Sequence, residues 1–291
     1  MNPTYSFLVY MLISINVSAQ VSDDQYQAND KGVAEFERKN YQAAFKYFSI
    51  ASKDGSSIAA RNLGIMYYKG LGVKKDYAQA SKWFKISAQK NNIEAFVNLG
   101  DIYYEGGYGV TKDVKAAFSY YESAADGNLR ALENLASMYF LGEGIKQNLH
   151  KAFKLFQKAS ERGSLKSQNN LAICYEKGLG TKQDISKAVT IYRKGAQQGY
   201  AASQFGLGLC YYSGIGLDKD LVEAFSWFKK AAEQGVSDAQ YNMGQLYEGG
   251  YGVEKNIQEA IKWYSKAAAQ GHEKAKKRVE ELKESGLISD S

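Results

Sequence analysis

"ASQFGLGLCYYSGIGLDKDLVEAFSWFKKAAEQG", residues 202–235, sets a small residue, Gly208, three positions before Tyr211 and six before Gly214. "DAQYNMGQLYEGGYGVEKNIQEAIKWYSKAAAQG", residues 238–271, repeats the layout with Gly244, Tyr247 and Gly250, 36 residues later. Working outward, the pairs Leu63-Gly64, Leu99-Gly100, Leu135-Ala136, Leu171-Ala172, Leu207-Gly208 and Met243-Gly244 keep that period. Tyr67, Tyr103, Tyr139 and Tyr175 extend the tyrosine column, and Gly70, Gly106, Gly142 and Gly178 extend the glycine column. One extra residue near Gly107 is offset by one fewer before Gly127, so the register recovers. A fixed period of this length marks stacked supersecondary units.

The second half of each unit is as regular. Asp76, Asp113, Asn148, Asp184, Asp220 and Asn256 each stand four residues before an alanine: Ala80, Ala117, Ala152, Ala188, Ala224 and Ala260. Asp and Asn side chains accept from the free N–H groups of a first helical turn, so each predicts a helix start. Four residues past each alanine stands a ring (Phe84, Tyr121, Phe156, Tyr192, Phe228, Tyr264), and three further a small residue (Ser87, Ala124, Ala159, Gly195, Ala231, Ala267). That spacing is one helical stripe. Gly127, Gly163, Gly199, Gly235 and Gly271 are expected to end helices as left-handed C′ residues. Each unit therefore reads as helix, Gly-rich loop, helix. None can bury its stripe alone, which requires a stack. The Gly-x-Gly of "GLGVKKD" joins helix to helix, not strand to helix, which argues against a phosphate loop.

Composition agrees: 45% hydrophobic, 23% charged, and a single proline, Pro3, leaving the rest free to form helices. The net charge of +6 comes from interspersed Lys and Asp/Glu, which argues against a nucleic-acid surface. At the N-terminus, Phe7 to Val17 is an apolar run of signal-peptide length, and Val17-Ser18-Ala19 fits small-residue cleavage. Cleavage after Ala19 and export, to the periplasm or beyond, are expected. The charge-free first residues depart from the usual basic start; a short uncleaved anchor is the alternative.

The pattern resembles the Sel1-like repeat family, a branch of the tetratricopeptide superfamily, and residues 202–235 and 238–271 read close to its consensus. The organisation expected is a signal peptide (1–19), an N-terminal tetratricopeptide-like capping repeat (20–56), six Sel1-like repeats (57–271) and a C-terminal capping helix and tail (272–291). In the capping repeat Gly32, Ala44, Phe48 and Ala51 keep the spacing. The resemblance implies an all-α, right-handed α-solenoid that holds a protein or peptide on its concave face. Exported bacterial members act as adaptors, in host interaction or envelope assembly. The chain is read as a non-catalytic monomer without cofactor or metal.

Counting from the small residue of each Leu-Gly pair, positions −1, +2 and +3 are apolar or Tyr and face neighbours. Position −2 is Asn62, Asn98, Asn134, Asn170, Gly206 and Asn242. Asparagine competes with the helix backbone, so its recurrence needs a reason. Either the amides bind neighbouring elements, or they form a ladder that clamps an extended peptide. Position +4 is Tyr68, Tyr104, Phe140, Glu176, Tyr212 and Glu248. A column that admits Glu is expected to be partly exposed, and its aromatics either bind a partner or stack between repeats. The four aromatics and five asparagines are the candidate partner-binding residues. Positions −3 and +1 vary freely, which is where partner specificity would be written.

Catalytic candidates are few. His150 and His272 lie far apart in sequence, and no His/Cys/carboxylate cluster has zinc-ligand spacing. Ser226-Trp227-Phe228-Lys229 matches a Ser-x-x-Lys nucleophile motif, but Trp227 and Phe228 occupy ordinary repeat positions and the companion motifs are missing. A penicillin- or peptidoglycan-interacting envelope enzyme, or a regulator of one, is the alternative function; an anionic-lipid surface binder is a second. Cys174 and Cys210 share position +2 with Met66, Ile102, Met138 and Leu246. Equivalent positions on adjacent helices lie roughly 8–10 Å apart, and a disulfide needs Cα atoms within about 7 Å. Two buried free thiols are expected.

Overall fold

A computed structural model describes residues 23–287. The segment read as a signal peptide lies outside the described residues. Within them are fifteen α-helices and no strand. The chain divides into two compact bodies at Gln147/Asn148, inside the third repeat.

The N-terminal body holds α1 (Asp23–Glu37), α2 (Tyr41–Lys53), α3 (Ser57–Lys69), α4 (Tyr77–Ala88), α5 (Ile93–Glu105), α6 (Val114–Ala124) and α7 (Leu129–Leu141). The C-terminal body holds α8 (Leu149–Glu161), α9 (Leu165–Lys177), α10 (Ile185–Gln197), α11 (Ala201–Ser213), α12 (Leu221–Glu233), α13 (Ser237–Gly249), α14 (Ile257–Ala269) and α15 (Glu273–Glu284). Within each body every helix packs on the next in sequence, as expected of an α-solenoid of helix–loop–helix repeats.

The expected caps form. Asp76, Asp113, Asn148, Asp184, Asp220 and Asn256 each accept a hydrogen bond from a backbone N–H in the first turn that follows. In the first, second, fourth, fifth and sixth repeats a second bond closes the loop. The cap residue's own N–H reaches back to the tyrosine carbonyl nine residues earlier (ten in the second), as in Asp184 to Tyr175 (2.8 Å) and Asn256 to Tyr247 (2.8 Å). The loop's second glycine then lies on the first turn of the second helix one repeat back: Gly144 against Val114, Gly180 against Leu149, Gly252 against Leu221. A side chain there would collide with backbone, so glycine is required for close approach.

The stripe forms the core. Phe84, Phe156 and Phe228 and the rings of Tyr121, Tyr192 and Tyr264 are buried, as are their flanking alanines. Each ring fully removed from water contributes about 1.5–3 kcal/mol. Four of the rings lie flat on the first helix of their repeat. A Cβ added to Gly64, Gly100, Gly208 or Gly244 would stand 2.5–2.6 Å from the ring of Phe84, Tyr121, Phe228 or Tyr264. The +3 tyrosines meet a phenylalanine of the preceding repeat edge to face: Phe45–Tyr67, Phe118–Tyr139, Phe153–Tyr175 and Phe225–Tyr247, centroids 5.3–5.8 Å apart.

One expectation fails. Gly163, Gly199, Gly235 and Gly271 have φ of 84–91°, but Gly127 is not left-handed. Helix α6 stops at Ala124, two residues short of its counterparts in the third to sixth repeats, and Gly127 instead makes room for Ile93. In the first repeat Asn91 takes the left-handed position at φ 59°, a role asparagine tolerates better than other side chains.

Both cysteines are buried and free. Burial pushes their thiols up to about 11, so each behaves as a small hydrophobe.

Candidate partner-binding surface

In the N-terminal body the asparagine column is largely closed. Asn62 is 1% exposed, and both amide atoms are buried without a hydrogen bond. Asn98 is 8% exposed and accepts from Nε of Arg61 at 3.1 Å. Both are buried, and Asn98 bonds a side chain of the preceding repeat, in line with the neighbour-binding reading of the column. Asn134 is half-buried, beside the Tyr121 hydroxyl. Arg61, at position −3, is itself buried, and desolvation holds its guanidinium below the ordinary value against the pull of Glu94. Asp101, at position +1, accepts from Tyr121 (2.8 Å) and Arg130 (2.6 Å). Burial raises its pKa, with those partners opposing. This face of the body is tied to itself.

The aromatic column is half-buried at Tyr68, Tyr104, Phe140 and Tyr212. Tyr68 stacks on Tyr77 at 4.8 Å, and its hydroxyl donates to Glu105 of the next repeat (2.8 Å). Tyr104 donates to Glu143 one repeat on (2.7 Å). Tyr212 lies against Phe228, centroids 6.2 Å apart. Stacking and bonding between elements account for much of this column.

The two glutamates of the same column have a different reason from exposure. Glu176 accepts from the Tyr192 hydroxyl and Glu248 from that of Tyr264, both at 2.7 Å. Position +4 is Glu in the two repeats whose second-helix ring is Tyr192 or Tyr264, and aromatic where the ring is Phe84, Phe156 or Phe228. Tyr121, in the repeat whose +4 residue is Tyr104, takes Asp101 instead. A buried phenol needs an acceptor, and the column supplies one where the hydroxyl occurs. Burial first, and the carboxylate second, raise the pKa of Tyr192 and Tyr264 above the ordinary 10.0. Glu248 also takes Arg278 of α15. Burial would raise its pKa, but the Arg278 and Tyr264 bonds outweigh it and hold the carboxyl below the ordinary 4.5.

A glutamine network, not anticipated from the sequence, also holds the C-terminal body. Gln204 and Gln240, at position −4, donate to the carbonyls of Ala196 and Ala232 (3.3 and 3.1 Å). They accept from Gln234 and Gln270, both at 2.7 Å. The signal was a column of Gln168, Gln204 and Gln240 matched by Gln198, Gln234 and Gln270 thirty residues on.

The first-helix face is more open in the C-terminal body. Asn170 and Asn242 are half-buried and flank Gly206, which lies against the Tyr192 ring. At position +1, Ile173 and Gln245 are half-buried and Leu209 is 37% exposed. The counterpart in the first repeat, Ile65, is buried. Phe205, Tyr212 and Tyr241 are half-buried on the same helices.

Other candidates fall elsewhere. His150 meets the Gly180 carbonyl through Nδ1 at 3.1 Å. His272 caps α15: its Nδ1 accepts from Ala275 N–H, its Nε2 faces Asp238 at 3.2 Å, and its ring stacks on Tyr241. Ser226 and Lys229 sit one turn apart on α12, with Lys229 in solvent. Among the described residues no helix is long and apolar enough to cross a membrane.

The Sel1 repeat profile matches residues 30–56, 57–92, 94–129, 129–164, 165–200, 201–236 and 237–272. The first match falls on the segment read as a capping repeat. A protective antigen present in uropathogenic Escherichia coli strains, described as displaying an SLR fold, is 34% identical with a TM-score of 0.74, covering 88% of this chain. This chain spans 56% of that protein's length. A Sel1 repeat protein from Oxalobacter formigenes is 28% identical with a TM-score of 0.76, covering 84% of this chain and 97% of its own. No curated protein matches the sequence. With seven matched segments covering most of its length, and period, caps and core repeated in six of them, the chain belongs to the Sel1 repeat family, whose members are generally scaffolds for protein interaction.

Proposed function

We propose that this protein is an exported, non-catalytic scaffold that holds a protein partner against the first helices of its C-terminal body. The observation that carries the reading is the strip around Leu209, an apolar side chain open to solvent between Ile173 and Gln245 and flanked by half-open Asn170 and Asn242. The amides offer donor and acceptor to a peptide backbone, and Leu209 with Tyr212 offers apolar contact area. The corresponding strip of the N-terminal body is occupied by its own Arg61–Asn98 and Asp101–Arg130 pairs. Export rests on Phe7–Ala19; N-terminal sequencing of the mature protein checks it, with a start at Gln20 expected. Photocrosslinking from position 209 tests the binding strip. A discrete protein adduct is expected, and its absence would contradict the assignment.

A further inference from the structure

We propose that the groove between α8, α9 and α10 is a receptor for one aromatic side chain, an indole by preference, presented by a protein partner. The residue three past the stripe alanine is Trp83, Trp227 and Trp263 in the first, fifth and sixth repeats, Tyr120 in the second, Leu155 in the third and Ile191 in the fourth. Trp83 packs on the core of Ala51, Leu63 and Met66. Trp227 packs on that of Ala196, Leu207 and Cys210, and Trp263 on that of Ala232, Met243 and Leu246. In these repeats the indole fills the space between its own first helix and the second helix of the repeat before.

In the fourth repeat the ring is absent. Its place is a cavity of about 310 Å³, with Leu171, Tyr175 and Ile191 against Ser160 and Glu161. Leu171 and Tyr175 stand 36 residues before Leu207 and Tyr211, so the floor is the one beneath Trp227. The volume is at the lower end of ligand pockets and suits one ring system rather than a large cofactor.

The polar surround fits as well. Lys230 lies 3.9 Å above the Trp227 ring and Lys266 4.1 Å above that of Trp263. Lys194 holds the same register in the fourth repeat, the position from which lysine covers the ring in the other two. The Trp227 Nε1–H donates to Glu223 at 3.0 Å. Lys187 replaces that glutamate, leaving Gln157 and Glu161 on the opposite wall as acceptors.

The experiment is ¹⁹F NMR titration of the full chain with N-acetyl-5-fluorotryptophan amide, which mimics a side chain on a backbone, and with 5-fluoroindole. Saturable binding of both is expected. Ile191→Trp should weaken it at least tenfold while preserving the helical circular dichroism spectrum, because the protein then fills its own groove. Trp227→Ile opens a second groove and should raise the number of sites from one to two, a check that does not depend on Ile191→Trp folding. No saturable binding, or equal binding by Ile191→Trp, would overturn the proposal. So would binding of 5-fluoroindole alone, which points to a free small molecule. Absent probe binding with self-association that Ile191→Trp abolishes would overturn it too, in favour of a second copy. The protein nature of the occupant rests on the scaffold reading. The two fail separately, since probe binding does not involve Leu209.

Discussion

The Glu176–Tyr192 pair offers a sharp test of why the +4 column alternates between carboxylate and ring. The Tyr192 ring is 3% exposed, and its hydroxyl donates to Glu176 Oε2 at 2.7 Å. Replacing Glu176 with Tyr, the residue at positions 68 and 212, strands that hydroxyl. An unsatisfied buried hydroxyl costs about 1–3 kcal/mol. No local carboxylate rescues it, since position +1, Asp101 in the second repeat, is Ile173 here. Tyr192→Phe alone removes the bond but leaves Glu176 half-open to water, for a loss of about 1 kcal/mol. The double variant recreates the pairing of the first and fifth repeats, Tyr68 with Phe84 and Tyr212 with Phe228, and should lie within about 0.5 kcal/mol of the parent. The expected coupling is therefore on the order of 2 kcal/mol. Urea unfolding followed by circular dichroism measures it. Hydrogen exchange in α10 provides a local probe, because long repeat arrays can depart from two-state behaviour. Additive losses, with the double variant the least stable of the four proteins, would refute the reasoning.

Thiol titration should find no fast-reacting cysteine in the native protein and two in denaturant without reductant, as expected of buried Cys174 and Cys210. Alkaline stability follows from the tyrosines. Burial raises the pKa of Tyr68, Tyr121, Tyr192 and Tyr264 in the folded state. Their contribution is therefore fully present below the unfolded value near 10 and is lost as pH rises beyond it. Absorbance at 295 nm should show these phenols ionising together with loss of helix above pH 10, after the exposed ones; complete tyrosine titration with the helices intact would contradict this.

Much of the fold was legible because its determinants are local. A cap and its first turn lie within three residues, and the stripe within seven, so Asp184, Ala188, Tyr192 and Gly195 announce a helix without tertiary information. The candidate site was less legible. Glu176 and Glu248 in a column otherwise aromatic suggest partial exposure when that column is read alone. The meaning of Glu176 appears only beside Tyr192, sixteen residues away. For Asn62 and Asn98 the sequence left both a neighbour-binding and a groove reading open, because spacing does not tell how deeply position −2 is buried. The opening at Leu209 and the groove at Ile191 depend on what neighbouring repeats leave uncovered. The period does not encode that directly, although the replacement of tryptophan by isoleucine was visible as a break in a column.

The most direct measurement of the central claim is site-specific photocrosslinking in the producing cell and on cells it contacts, with a photoreactive residue at position 209 and, as control, at Lys229 on the exposed face of α12. A discrete protein adduct from position 209, lost when Asn170 and Asn242 are both replaced by alanine and absent from position 229, is predicted. No adduct at position 209, or the same adducts from both positions, would contradict a partner-binding strip on the first helices.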